Sequence, residues 1–138
     1  MNICSLILVF LLSFSTGNAL YFADGKASYY SDRMHGQRTA NGERYDKTKL
    51  TAAHATLAFD TKVLVTNAKN GKSVVVRIND RLPRNRHTII DLSRAAAQQL
   101  DLIRAGIGPV QIQELQKGEE GQQEAPVAVS EVVPDSKP

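Results

Sequence analysis

From Ser73 to Asn79 apolar and polar positions alternate, with Val74, Val76 and Ile78 on one face of an extended chain and Val75 and Arg77 on the other. This is the pattern of a half-buried strand. The run ends in N-D-R-L-P, which delivers Asn79, Asp80 and Arg81 into a turn that Pro83 finishes. Asn and Asp are ordinary turn formers. An Asp at the mouth of a rigid sheet is also where a ligand-facing carboxylate belongs.

Short strands separated by turn signals fill the middle of the chain. Gly25–Tyr30, Thr61–Thr66, Ser73–Asn79, Thr88–Leu92 and Pro109–Leu115 read as strands, the last with Val110 and Ile112 alternating against Gln111 and Gln113. Asn70-Gly71 favours positive φ and marks a hairpin between the second and third. One helix is predicted from Arg94 to Leu100, with Ser93 as its N-cap and three alanines in its first turns. A mostly-strand chain with a single short helix predicts a small closed barrel, because closure removes edges that would otherwise pair with other molecules.

Composition divides the chain into three. Residues 1–19 carry no charge, and the apolar run Ile3–Phe14 is 12 residues long, short of the about 20 that a spanning helix needs. Gly17 and Ala19 are the small residues of a secretory cleavage site before Leu20, although no Lys or Arg precedes the run; an uncleaved anchor and a misassigned start are the alternatives. Residues 20–115 hold 15 Lys and Arg against 9 Asp and Glu and are one domain. Residues 116–138 hold 2 against 5, with few large side chains, and read as a disordered acidic tail. Cys4, the single cysteine, lies inside the leader, too early for a lipid-modified first residue. The mature protein is therefore expected to be secreted or periplasmic, not lipid-anchored, monomeric, and without a disulfide or a thiol nucleophile. Its basic balance suits polyanions in general, but a nucleic-acid platform would need aromatics interleaved with the basic residues. With four Phe and four Tyr, two of the eight in the leader, no nucleic-acid partner is expected.

Candidate chemistry accumulates in the polar stretch from Ser31 to Ala53 and just beyond it, in H-G-Q-R-T-A-N-G-E-R-Y-D (His35–Asp46) and L-T-A-A-H (Leu50–His54). Glu43 and Asp46 fit surface side chains as well as a site. His54, flanked by alanines, fits a structural histidine bonded to a loop carbonyl as well as a site residue. A metal held by His54, Asp46 and Asp80 is conceivable, but no Cys pair or paired-His spacing marks one, so the site is read as free of metal and cofactor.

The succession G-K-A-S-Y-Y, T-A-N-G-E-R-Y-D, L-T-A-A-H-A-T-L, V-L-V-T-N, N-G-K-S-V-V-V-R-I-N-D-R and I-I-D-L-S-R-A-A-A resembles the rare lipoprotein A family over nearly all of residues 25–115. The resemblance implies a six-stranded double-psi β-barrel and a lytic transglycosylase that cleaves peptidoglycan glycan strands. It implies Glu43, Asp46, Asp80 and His54 as the residues of activity. Two site-flanking loops depart from the family pattern. Leu82, Pro83 and Arg84 stand where a glycine, a proline and an aromatic are common, and Leu57-Ala58-Phe59-Asp60-Thr61 stands where L-P-F-G-T is. Tyr29 and Tyr30 are then the candidates for a sugar-stacking surface, with Asn79 and Arg81 as further substrate contacts.

Asp80 is the expected acid and base. If a sugar's own C6 hydroxyl attacks the anomeric carbon, the nucleophile is already tethered, and one carboxyl can donate the first proton and accept the second. Arg81 would oppose this unless its side chain points away, as alternation permits. The alternative is a secreted barrel that binds wall glycan without cleaving it.

Overall fold

The structure, a computed structural model, describes residues 19–84 and 87–116. Residues 1–19 and 116–138, read from the sequence as a leader and an acidic tail, lie outside the described residues but for Ala19 and Gln116. Six strands form the fold: β1 (Phe22–Tyr29), β2 (Thr51–His54), β3 (Lys62–Asn67), β4 (Ser73–Arg81), β5 (Ile90–Leu92) and β6 (Gly108–Glu114). A 3₁₀ turn covers Asp32–Met34, and one helix, α1 (Arg94–Gln99), lies between β5 and β6.

The strands close into a barrel in the order β1-β5-β2-β4-β3-β6. Two pairs are parallel, β1 with β5 and β2 with β4, and the other four are antiparallel. The alternation along β4 holds: Val74, Val76 and Ile78 are at most 2% exposed, whereas Val75 and Arg77 are half-buried. Val63, Val65, Ile90, Leu92, Val110 and Ile112 meet them in the barrel interior. The helix seals the barrel with Ala96, Ala97 and Leu100, all fully buried. Its N-cap is the predicted Ser93, whose hydroxyl accepts the Ala96 N–H at 3.3 Å.

Three details differ from the sequence pattern. Strand β2 falls inside the stretch read as polar loop; all four of its residues are buried, so it shows no alternation. The β3–β4 connection is longer than a two-residue turn: Gly71 takes φ +78°, Asn70 does not go positive, and the Asn67 N–H reaches the Lys72 carbonyl at 2.8 Å. Third, β4 runs two residues past Asn79, and its register against β2 shifts there, pairing Ala52 with Ile78 and Ala53 with Asp80. Asn79 is left without a partner on β2, a bulge of the kind that re-aims side chains beside functional sites.

Among the described residues no helix is long and apolar enough to cross a membrane.

Candidate active site

The bulge brings Asp80 to one end of the barrel, where three separate segments supply donors to its carboxylate. The Ala40 N–H donates to Oδ1 at 2.8 Å and the Arg81 N–H to the same oxygen at 2.9 Å. The Tyr30 hydroxyl donates to Oδ2. Tyr30 follows directly on β1, Ala40 lies in a loop, and Asp80 is on β4, so the carboxylate ties the barrel mouth to its cover. Burial, and then the bond to Asp80, pushes the Tyr30 phenol well above its ordinary range, so it stays a protonated donor at any physiological pH.

Tyr30 is only 7% exposed, and its ring stacks on Tyr45 at 4.4 Å between centroids. What it presents is therefore a hydroxyl edge rather than the open stacking face the sequence suggested. Tyr45 is fixed in turn: its hydroxyl accepts the Arg94 N–H at 3.0 Å. Tyr29 turns its hydroxyl to the Ile103 carbonyl at 2.8 Å.

Asp80, Tyr29, Tyr30 and Arg81 line one open cleft of about 430 Å³, together with Ala53, Leu82 and Asp91. Ala53 is paired with Asp80 on one side and with Asp91 on the other. Residues directly opposite on neighbouring strands share a face of the sheet, and strands lie about 4.8 Å apart, so the small Ala53 leaves a floor between two carboxylates. The Ser28 hydroxyl donates to Asp91 Oδ1 at 2.9 Å. Asp91 was given no role from the sequence. Its signal was there as the one polar position between Ile90 and Leu92, both fully buried.

The Arg81 side chain forms no ion pair with the Asp80 carboxylate, and its Nη1 lies 3.4 Å from the Asp80 carbonyl instead. Its guanidinium lies 4.2 Å over the Phe59 ring and its Nη1 donates to the His54 carbonyl at 3.3 Å. The end of β4, next to one departing loop, thus meets Phe59 of the other through this cation–π contact. Asp60 takes φ +75° and accepts from Arg77 Nη1 at 3.0 Å.

The other sequence candidates are held elsewhere. Glu43 takes a bidentate ion pair from Arg77 at 2.8 and 2.9 Å and a third bond from Asn79 Nδ2 at 3.0 Å. Those bonds, Arg77's first, hold its carboxyl down at about 2. Asp46 accepts both the N–H and the hydroxyl of Thr48, at 2.9 and 2.7 Å, and these bonds lower its pKa. Glu43, Asp46 and Asn79 line a depression of about 380 Å³ that shares no lining residue with the Asp80 cleft. His54 is 2% exposed, and its Nδ1 accepts the N–H groups of Thr56 and Leu57, both at 3.1 Å. It is thus an acceptor for loop amides, a structural role like one of the two open alternatives but with the bond direction reversed, and its ring is in the Nε2–H tautomer. It lines a third hollow of about 300 Å³, which meets the Asp80 cleft at Leu82 and Pro83. The structure so gathers four of the eight candidates in one cleft, three in a second and one in a third. Among the described residues no group of His, Cys, Asp and Glu could hold a metal ion.

Comparison with known proteins supplies the relatives. The endolytic peptidoglycan transglycosylase RlpA of Neisseria meningitidis serogroup A is 51% identical over 104 residues, which are 75% of this chain and 42% of the relative. The chain therefore spans less than half the length of that relative. Among solved structures, a papain inhibitor from Streptomyces superposes with TM-score 0.57 at 24% identity, over 70% of this chain and 96% of its own. The apo expansin of Clavibacter michiganensis does so with TM-score 0.58 at 21% identity, over 70% of this chain and 52% of its own. These two share the fold, which is a double-psi β-barrel. A family model described as lytic transglycolase matches residues 22–112. With that match over most of the barrel and half its residues shared with the Neisseria relative, the chain belongs to the lytic transglycolase family.

Proposed function

We propose that this chain is an endolytic peptidoglycan lytic transglycosylase in which Asp80 is the acid and base. The observation that carries the reading is the Asp80 carboxylate, fixed by Tyr30, Ala40 and Arg81 and lining an open cleft. The curated name of the Neisseria relative supports the substrate class. A glycan strand laid along the cleft puts a glycosidic oxygen within reach of Asp80. The protonated carboxyl gives its proton to the leaving oxygen as the bond from the anomeric carbon breaks. The C6 hydroxyl of the same sugar attacks that carbon, and the carboxylate takes the hydroxyl proton. One C–O bond breaks, one forms, and no water is consumed, so the product ends in a 1,6-anhydro ring. Tethering the nucleophile supplies much of the advantage that a second catalytic carboxylate gives a hydrolase.

Asp91 faces the same cleft across Ala53, where a negative charge favours a developing oxocarbenium centre. Tyr29, Arg81 and the Leu82-Pro83 ridge are the proposed sugar contacts. His54 and Asp46 are assigned to holding the loops around the cleft, and Asn79 to the same task through Glu43. Peptidoglycan lies outside the cytoplasmic membrane, which accords with a secretory leader at residues 1–19 and a soluble, monomeric domain from 20 to 115.

Asp80→Asn tests the reading. Asn keeps an acceptor for the Ala40 and Arg81 N–H groups, and its amide can face the Tyr30 oxygen, so the fold is expected to survive. An amide cannot pass a proton in this pH range, so cleavage is expected to fall at least about 100-fold while glycan binding persists. Mass spectrometry of glycan strands incubated with each protein reads the outcome. Anhydro ends from the parent alone support the assignment; near-parent cleavage by the variant sinks it and moves the role to Asp91. Reducing ends would mean a hydrolase, and bound but intact strands with both proteins would mean a wall-glycan-binding module.

A further inference from the structure

Glu43 lies outside the Asp80 cleft, yet the loop that carries it ends on Asp80. Arg38 and Arg44 form an isolated bridge, and within it the Thr39 N–H reaches the Glu43 carbonyl at 2.7 Å. The Gly42 N–H closes a turn on the Thr39 carbonyl at 3.0 Å, with Gly42 at φ +94°, a conformation glycine adopts without a steric penalty. Asn41 stiffens the turn from inside, its Oδ1 accepting the Thr39 hydroxyl at 2.8 Å and the Glu43 N–H at 3.0 Å. At the tip sits Ala40, whose N–H is one of the three donors to Asp80.

Such a turn on the surface needs an anchor to stay in register with β4. Its tip makes one backbone bond to that strand, from the Asn41 N–H to the Asn79 carbonyl at 3.3 Å. The firm contact is the Glu43 side chain, which takes the two Arg77 bonds and the Asn79 bond at the base of the loop. Bidentate pairs with arginine fix geometry as well as charge, and Asp60 holds Arg77 from its other side. Arg77 and Asn79 are two residues apart on one face of the strand; Asp80 follows directly after the bulge.

We propose that Glu43 is a positioning residue: by clamping the Thr39–Glu43 turn onto Arg77 and Asn79 it sets the Ala40 N–H on Asp80. This rests on the reading of Asp80 as acid and base. A carboxyl held at about 2 cannot donate a proton near neutral pH, which agrees with a clamp and not with a second acid.

The test is the Ala40 amide resonance followed through a pH titration by NMR, in the parent, Asp80→Asn, Glu43→Gln and Glu43→Ala. The amide is expected to move with the Asp80 carboxyl in the parent and to stay flat in Asp80→Asn. In Glu43→Ala the response is expected to vanish, and in Glu43→Gln, which keeps an acceptor for Arg77 or Asn79, to shrink. Cleavage by Glu43→Ala is expected to drop about 10- to 100-fold in kcat with little change in KM, the scale of losing one positioned donor, and Glu43→Gln to recover part of it. If Glu43→Ala fails to fold, Glu43→Gln decides. A full Ala40 response in a folded Glu43 variant overturns the proposal, and so does a lost response with parental cleavage. The amide measurement needs no substrate, so an inactive parent would refute the transglycosylase reading and leave the clamp to be judged on the resonance alone.

Discussion

His54 shows what a buried ring can commit to. Its Nδ1 accepts two loop N–H groups, Tyr21 packs edge-on at 5.1 Å, and burial first and the Arg81 charge second lower its pKa below 6.5. The folded state prefers the neutral ring, so the unfolded chain binds more protons as pH falls. The stabilisation is complete above about 6.5 and erodes below it. The melting temperature is expected to decline from pH 7 to pH 5, and His54→Asn, which offers an Oδ1 acceptor in place of Nδ1 and does not titrate, is expected to melt lower but with a flatter slope. Equal slopes for both proteins would take His54 out of the pH response. At this scale the sequence offered residue types but not partners. Asp80 could be singled out because it ends a strongly patterned strand. Glu43 and Asp46 stand in the same motif as the tyrosine stacked under Tyr30, and nothing in their spacing says that one would clamp Arg77 and the other cap Thr48. Those outcomes depend on what lies across the barrel, which is a tertiary fact.

The elements with a period of two were legible, and the one without it was not. Strand β4 declares itself through Val74, Val76 and Ile78, as β6 does through Val110 and Ile112. Strand β2, T-A-A-H, has one β-branched residue and is buried throughout, so no polar face exists to alternate with; it is a strand because β4 and β5 flank it on both sides. Its start is bonded to the helix cap. The Ser93 hydroxyl accepts from both Ala96 N–H and Thr51 N–H, at 3.3 and 3.4 Å, and the Ser93 N–H returns a bond to the Thr51 carbonyl at 2.9 Å. A helix of six residues cannot hold itself in water, so its cap counts. Ser93→Ala removes the cap and leaves the buried Thr51 N–H without its acceptor. The long bonds place the expected cost at about 1–3 kcal/mol, read as a lower urea midpoint with an unchanged slope. A midpoint matching the parent's would show that neither bond matters.

For the whole molecule, strand order is the property that strand patterns could not specify, since each strand buries its apolar face equally well in many orders. The motif succession identified the family, and the family carried the order. The last strand performs the closure: β6 pairs with β1 on one side and β3 on the other and sends Val110 and Ile112 into the core. The ladder finishes with the Glu114 N–H on the Tyr21 carbonyl at 2.8 Å and the Leu115 N–H on the Lys62 carbonyl at 2.9 Å, while Glu114 Oε1 accepts the Tyr21 N–H at 3.0 Å. A chain ending at Gln116 keeps all of these bonds, and the acidic composition of residues 117–138 predicts a segment that does not dock on the barrel. For a domain of this size about 1 kcal/mol moves the melting temperature by roughly 4–8 °C, so a truncation that keeps every one of these bonds is expected to stay within about 2 °C of the parent. A chain ending at Ile107 loses β6, opens two strand edges and exposes the interior, and is expected to show no cooperative melt. Calorimetry of the two truncations separates the cases; a large drop for the chain ending at Gln116 would place part of the tail in the folded unit.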